Sequence, residues 1–99
     1  MTVNHNYYLD LAFQIAEKNL GRTRLNPSVG TIIVKNDAVI SSAVTSYNGR
    51  PHSEFNALNN LKDCTGASLY TTLEPCTHYG KTPPCTNIII KKKIKNVFY

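Results

Sequence analysis

Apolar residues fall at Leu9, Ala12, Phe13, Ala16 and Leu20 of "YYLDLAFQIAEKNLG". The three-and-four spacing predicts a helix with these residues on its core face, closed by Gly21. The period then changes. "TIIVKN" and "AVISSAV" are β-branched runs joined at Asn36-Asp37, which predicts a hairpin. The stretch before them, "TRLNPSVG", reads as a loop, as does "SYNGRPH" after them. A second helix is expected over Ser53–Lys62, with Phe55, Leu58 and Leu61 on one face. "ASLYTTL" is a strand, and "EPCTHYGKTPPC" is a long loop with three prolines. "TNIIIKKKI" has the isoleucines of a strand but sits between a Cys-Thr cap and a further strand, "KNVFY", so it reads as a helix. Strands alternating with helices after one hairpin predict an α/β layered fold with a mixed sheet.

At 99 residues the chain is expected to form one domain, residues 1–99, with a modest core. A metal, a partner subunit or further chain would make up the deficit. The net charge of +5 points to an anionic partner, either nucleic acid or a phosphorylated small molecule. No RNP-like or C2H2 pattern is present, which disfavours nucleic acid. The run Lys91–Lys95 suits a solvated helix end. No apolar run is long enough to span a bilayer, so no membrane association is expected, and Met1–Asp10 lacks a leader-like core. Together with three cysteines, an odd number, this predicts a cytoplasmic protein with reduced thiols.

The chemistry starts at His52 and Glu54. Alone, H-x-E is a polar helix start in which Ser53 caps and Glu54 suits the helix dipole. Two cysteines downstream change that reading. Cys76 and Cys85 are separated by eight residues, and with His52 they offer one nitrogen and two thiolates. Zinc takes such donors tetrahedrally, and a catalytic site leaves the fourth position to water. His78 could instead be a fourth ligand, which would make the zinc structural. Zinc lowers the pKa of water from about 15.7 to about 7. A carboxylate two residues from a metal-bound His, Glu54, is then placed to carry protons.

"LNPSVGTIIV", "GRPHSEFNAL" and "LYTTLEPCTHYGKTPPC" together resemble the deaminase domain of bacterial riboflavin-biosynthesis deaminase/reductases, within the cytidine and deoxycytidylate deaminase-like zinc superfamily. The resemblance runs from about Tyr7 to Tyr99. It implies a three-layer α/β/α cytidine-deaminase-like fold with a mixed central sheet. It also implies Zn2+ held by His52, Cys76 and Cys85, with Glu54 as proton shuttle. Asn26 would face the pyrimidine, and His78, Lys81 and Thr82 would meet ribose or phosphate oxygens. Glu74 would orient the loop or cap a helix and do no chemistry, while Gly30 would permit close backbone packing. Cys64 matches no ligand and reads as a semi-buried thiol.

Departures from the family pattern are informative. Thr45 stands where a His is expected, Thr31 where Cys is common, and "HSE" replaces "HAE". The family domain continues past "VFY", so the chain is expected to lack the domain's C-terminal part and any reductase domain. The apolar, β-prone Val97, Phe98 and Tyr99 would then lie on an edge covered by additional chain or by self-association.

The implied activity is zinc-dependent hydrolytic deamination of 2,5-diamino-6-(5-phosphoribosylamino)pyrimidin-4(3H)-one in riboflavin biosynthesis. Two alternatives use the same residues. One is deamination of another base or nucleotide, including in nucleic acid. The other is a catalytically silent, zinc-stabilised binding module.

Overall fold

The computed structural model describes residues 4–21, 28–47, 51–73 and 85–99. Their elements run α1 (His5–Lys18), β1 (Gly30–Lys35), β2 (Ala38–Val44), α2 (Ser53–Leu58), β3 (Ser68–Thr71), α3 (Cys85–Lys91) and β4 (Asn96–Phe98). This is the expected order of helices and strands, including the helix over the three isoleucines. The sheet order is β2-β1-β3-β4. β1 is antiparallel to both neighbours, and β4 runs parallel to β3.

The hairpin forms where the sequence placed it. Asn36 and Asp37 both have positive φ, 53° and 63°, as a two-residue turn matching the twist of its strands requires. A register shift beside Ile33/Val34 then bends β2 against β1.

The sheet buries both faces. On one side Ile32, Val34 and Tyr70 pack with Ala12 of α1. On the other, Ile33 and Leu69 pack with Ala57 and Leu58 of α2 and Ile89 of α3. Alternation along β1 therefore assigns successive residues to opposite layers, giving the α/β/α sandwich.

α1 starts where the Asn4 side chain accepts the Tyr7 backbone N–H at 3.1 Å. His5 Nδ1 lies 2.6 Å from the buried Tyr70 hydroxyl, and its ring stacks on Phe98 at 4.1 Å between centroids. The start of α1 is thereby fastened to β3 and β4. Burial raises the Tyr70 pKa.

The helix faces depart from expectation. Ala12 and Ala16 are buried as expected, but Phe13 and Leu20 are exposed. Leu9 packs against the cluster around Ala12 as expected, joined by Tyr8, Leu11 and Ile15, which turns the buried stripe away from Phe13. α2 ends at Leu58, short of the expected Lys62, because Asn59-Asn60 are poor helix formers and Leu61 N–H closes a tight turn on the Leu58 carbonyl. Its buried residues are Ser53, Glu54, Ala57 and Leu58, so Phe55 points outward. Cys64 is fully buried rather than semi-buried, and burial raises its thiol pKa.

Gly30 begins β1 directly beneath α1. A Cβ there would overlap the Ala12 carbonyl oxygen and lie 2.8 Å from Ile15 Cγ1. Backbone cannot yield as a flexible side chain would. Gly30→Ala is expected to destabilise the fold by about 3 kcal/mol, the upper end for overpacking, measured by urea unfolding.

Candidate metal centre and active site

His52 is the N-cap of α2, with extended backbone (φ −70°, ψ 162°). Cys85 is the first residue of α3. Both helices lie on the same face of the sheet, held by the shared cluster of Ala57, Leu58 and Ile89. This brings His52 Nδ1 to 3.4 Å from Cys85 Sγ. Zinc bonds nitrogen at about 2.0–2.1 Å and sulfur at about 2.3 Å, so two such donors on one tetrahedral ion stand about 3.5 Å apart. The observed spacing fits both as ligands of one ion, and also permits a thiol–imidazole hydrogen bond. Among the described residues no cluster of three or more His, Cys, Asp or Glu forms. Cys76, the third expected ligand, lies outside the described residues, as do Asn26, Glu74, His78, Lys81 and Thr82.

Glu54 follows His52 by two residues and is 4% exposed. It is not a solvated helix-start carboxylate. Ser53 Oγ donates to Glu54 Oε1 at 2.8 Å. Thr31 Oγ1 lies 2.8 Å from Ser53 Oγ and 3.3 Å from Thr71 Oγ1. Thr31 and Thr71 are directly paired across β1 and β3, on the layer that faces α2. Their side chains are fully buried, as is that of Ser53. Ser53 therefore does not cap α2, which has no side-chain cap.

This hydroxyl seam was not recognised in the sequence. Its signal was there: threonines punctuate otherwise apolar strands, in "GTIIV" and "SLYTT". A second overlooked positioner is Asn56. Its Nδ2 donates to the Val44 carbonyl at 2.9 Å and to Ser46 Oγ at 2.8 Å, tying α2 to the end of β2. Ser46 N–H in turn donates to the Pro51 carbonyl at 3.1 Å, next to His52.

Thr45, in the place of an expected His, serves the fold. Its Oγ1 accepts the Val29 N–H at 2.9 Å, and its own N–H donates to the Val29 carbonyl at 3.0 Å. The β1–β2 ladder is thus extended one step by a side chain. Asn19 Nδ2 adds a 2.7 Å bond to the Thr45 carbonyl from the end of α1.

The family model for the cytidine and deoxycytidylate deaminase zinc-binding region matches residues 2–99. The chain belongs to that family. It is 45% identical over 91 residues to the riboflavin biosynthesis protein RibD of Aquifex aeolicus, covering 91% of this chain and 26% of that protein. It is 38% identical over 96 residues to the diaminohydroxyphosphoribosylamino-pyrimidine deaminase of Buchnera aphidicola from Acyrthosiphon pisum, covering 96% of this chain and 65% of that one. The solved diaminohydroxyphosphoribosylaminopyrimidine deaminase/5-amino-6-(5-phosphoribosylamino)uracil reductase of Thermotoga maritima superposes with a TM-score of 0.87 at 42% identity, covering 94% of this chain and 28% of that one. This deaminase-family chain thus spans about a quarter of the length of the RibD relative. The cytidine-deaminase-like fold is shared throughout the aligned part. No helix among the described residues is long and apolar enough to cross a membrane.

Thr45→Val keeps the shape but leaves the Val29 N–H without its acceptor. A loss of about 1–3 kcal/mol in unfolding free energy is expected. Thr45→Ser, which keeps the hydroxyl, should recover most of it in the same urea titration.

Proposed function

We propose that this chain is the deaminase domain, residues 1–99, of a riboflavin-biosynthesis enzyme. It hydrolyses the amine from 2,5-diamino-6-(5-phosphoribosylamino)pyrimidin-4(3H)-one and releases ammonia. The observation that carries the proposal is the meeting of His52 and Cys85 beside a buried Glu54, in a chain 45% identical to a RibD protein.

His52, Cys85 and Cys76 would hold zinc, and the imidazole and thiolate donor set suits that ion. When bound, zinc acidifies water from about 15.7 to about 7, which supplies a nucleophile at neutral pH. The remaining work falls to the protein's own groups. Glu54 takes a proton from the attacking water. It returns that proton to the ring nitrogen as the amine-bearing carbon becomes tetrahedral. It then takes the remaining proton of the added hydroxyl and passes it to the amine as the carbonyl forms and the C–N bond breaks, releasing ammonia. Addition to the ring destroys its aromaticity, so proton delivery must accompany it. The Ser53 hydroxyl both donates and accepts, so its contact with Glu54 survives whether or not the carboxyl holds the proton.

Asn26 orients the pyrimidine. His78, Lys81 and Thr82 contact ribose or phosphate, for which charged donors are suited. The substrate is a soluble metabolite, consistent with a cytoplasmic enzyme. RibD relatives are much longer, and the solved Thermotoga maritima relative is named for a reductase activity as well. A reductase on further chain or on a separate protein would consume the product. β4 ends the described sheet with Val97 and Tyr99 exposed, a strand edge that further chain or a second copy would cover.

Two measurements test the site. Glu54→Gln should keep about one zinc per chain yet lose roughly 10²–10⁴-fold in turnover, the usual contribution of general acid–base catalysis. Cys85→Ser should lower zinc content with turnover. A glutamine variant close to parental kcat, or a serine variant with full zinc, would refute the assignments.

Substrate choice is tested by Lys81→Ala. It should weaken kcat/KM for the ribotide by about 1–3 kcal/mol while barely touching slow turnover of an unphosphorylated analogue. Equal losses on both compounds would assign Lys81 to the fold. Clear activity on cytidine with none on the ribotide would move the enzyme to another pathway.

A further inference from the structure

The seam Thr71–Thr31–Ser53–Glu54 is buried, polar and continuous, and apolar side chains would have filled the same space at less cost in desolvation. Resting on the deaminase reading above, we infer that Ser53 is a positioning residue. Its hydroxyl, itself held by Thr31, fixes the Glu54 carboxylate in the orientation from which it exchanges protons.

Glutamate has three side-chain torsions and loses rotamer freedom when held. A shuttle that must face first a water, then a ring nitrogen, then an amine gains from having that freedom removed beforehand. Here the restraint is a charge-assisted bond of 2.8 Å from the preceding residue to Oε1. Anchoring Oε1 fixes where Oε2 stands.

Serine alone is a poor anchor, because its hydroxyl turns about one bond. It has a single proton. An ionised carboxylate only accepts, so that proton goes to Glu54. The one Thr31 proton then has two acceptors within reach, Ser53 Oγ at 2.8 Å and Thr71 Oγ1 at 3.3 Å. The shorter contact, to a Ser53 oxygen whose own proton is already given away, takes it. The 2.8 Å contact to Thr31 thus sets the direction in which Ser53 donates. Thr31 is in turn β-branched and buried, and sits opposite Thr71 in the central ladder. The carboxylate is referred, through two hydroxyls, to the paired central strands β1 and β3.

The test uses Ser53→Ala, Thr31→Val and their double variant, made in the full-length gene product loaded with zinc. Ser53→Ala should lower kcat about ten-fold, with KM and zinc content at parental values. Thr31→Val should lower kcat several-fold. It should add nothing in the Ser53→Ala background, because it acts only through that hydroxyl. Thr31→Ser should recover most of what Thr31→Val loses. The Glu54 carboxyl 13C resonance, assigned by its absence in Glu54→Gln, should move in Ser53→Ala and Thr31→Val and return in Thr31→Ser.

Parental kcat in Ser53→Ala would overturn the inference. So would independent, multiplying losses in the double variant, or a loss that tracks zinc content. If the parental protein deaminates no pyrimidine, the functional reading fails by itself. The resonance then decides the positioning contact without turnover: unmoved in Ser53→Ala, it overturns the inference.

Discussion

Everything at this site depends on two short helices being pressed against one face of the sheet. α2 has six residues and α3 has seven, too few for either to be stable alone in water. What holds them is the apolar cluster in which Ala57, Leu58 and Ile89 meet Ile33 and Leu69. Because the helices share that support, His52 and Cys85 meet at 3.4 Å although 33 positions separate them. Metal binding would add to this packing rather than replace it, since a site already assembled by the core loses less freedom when an ion enters.

The same face carries the polar seam. Thr31 and Thr71 occupy the last paired positions before the sheet gives way to the site, and Ser53 opens the helix above them. Placing hydroxyls in a core is costly unless each is bonded, and among the described residues no buried side-chain polar atom is left without a partner. On the opposite face the demand is steric. Gly30 lets α1 approach until its backbone touches β1, while Thr45, Asn19 and Ser28 bond the end of α1 to the strand ends. One face carries the candidate site and the other fixes the sheet that presents it.

Much of this was legible in the sequence because it is local. Asn36-Asp37 between β-branched runs determines a hairpin whatever surrounds it, and the alternation of strands with helices determines the layering. His52, Glu54 and Cys85 stood out by residue type and spacing, and the structure brings the first and last of them together beside a buried Glu54. The failures were tertiary. Phe13, Leu20 and Phe55 fit a helical period but face solvent, because which side of a helix is buried is decided by the sheet it meets. Ser53 looked like a cap, and only the Thr31–Thr71 register turns it into a partner of Glu54. Cys64 looked ordinary and is sealed in the cluster beneath α2 and α3, where burial keeps it a thiol.

The coupling of the two helices to one metal is tested most directly by X-ray absorption at the zinc edge of the full-length protein. Coordination by His52, Cys76 and Cys85 with water requires a four-atom shell of two sulfurs near 2.3 Å and two nitrogen or oxygen atoms at about 2.0–2.1 Å, one of them imidazole. A shell without sulfur, or one with two imidazoles and no exchangeable oxygen, would contradict a catalytic centre built from these residues.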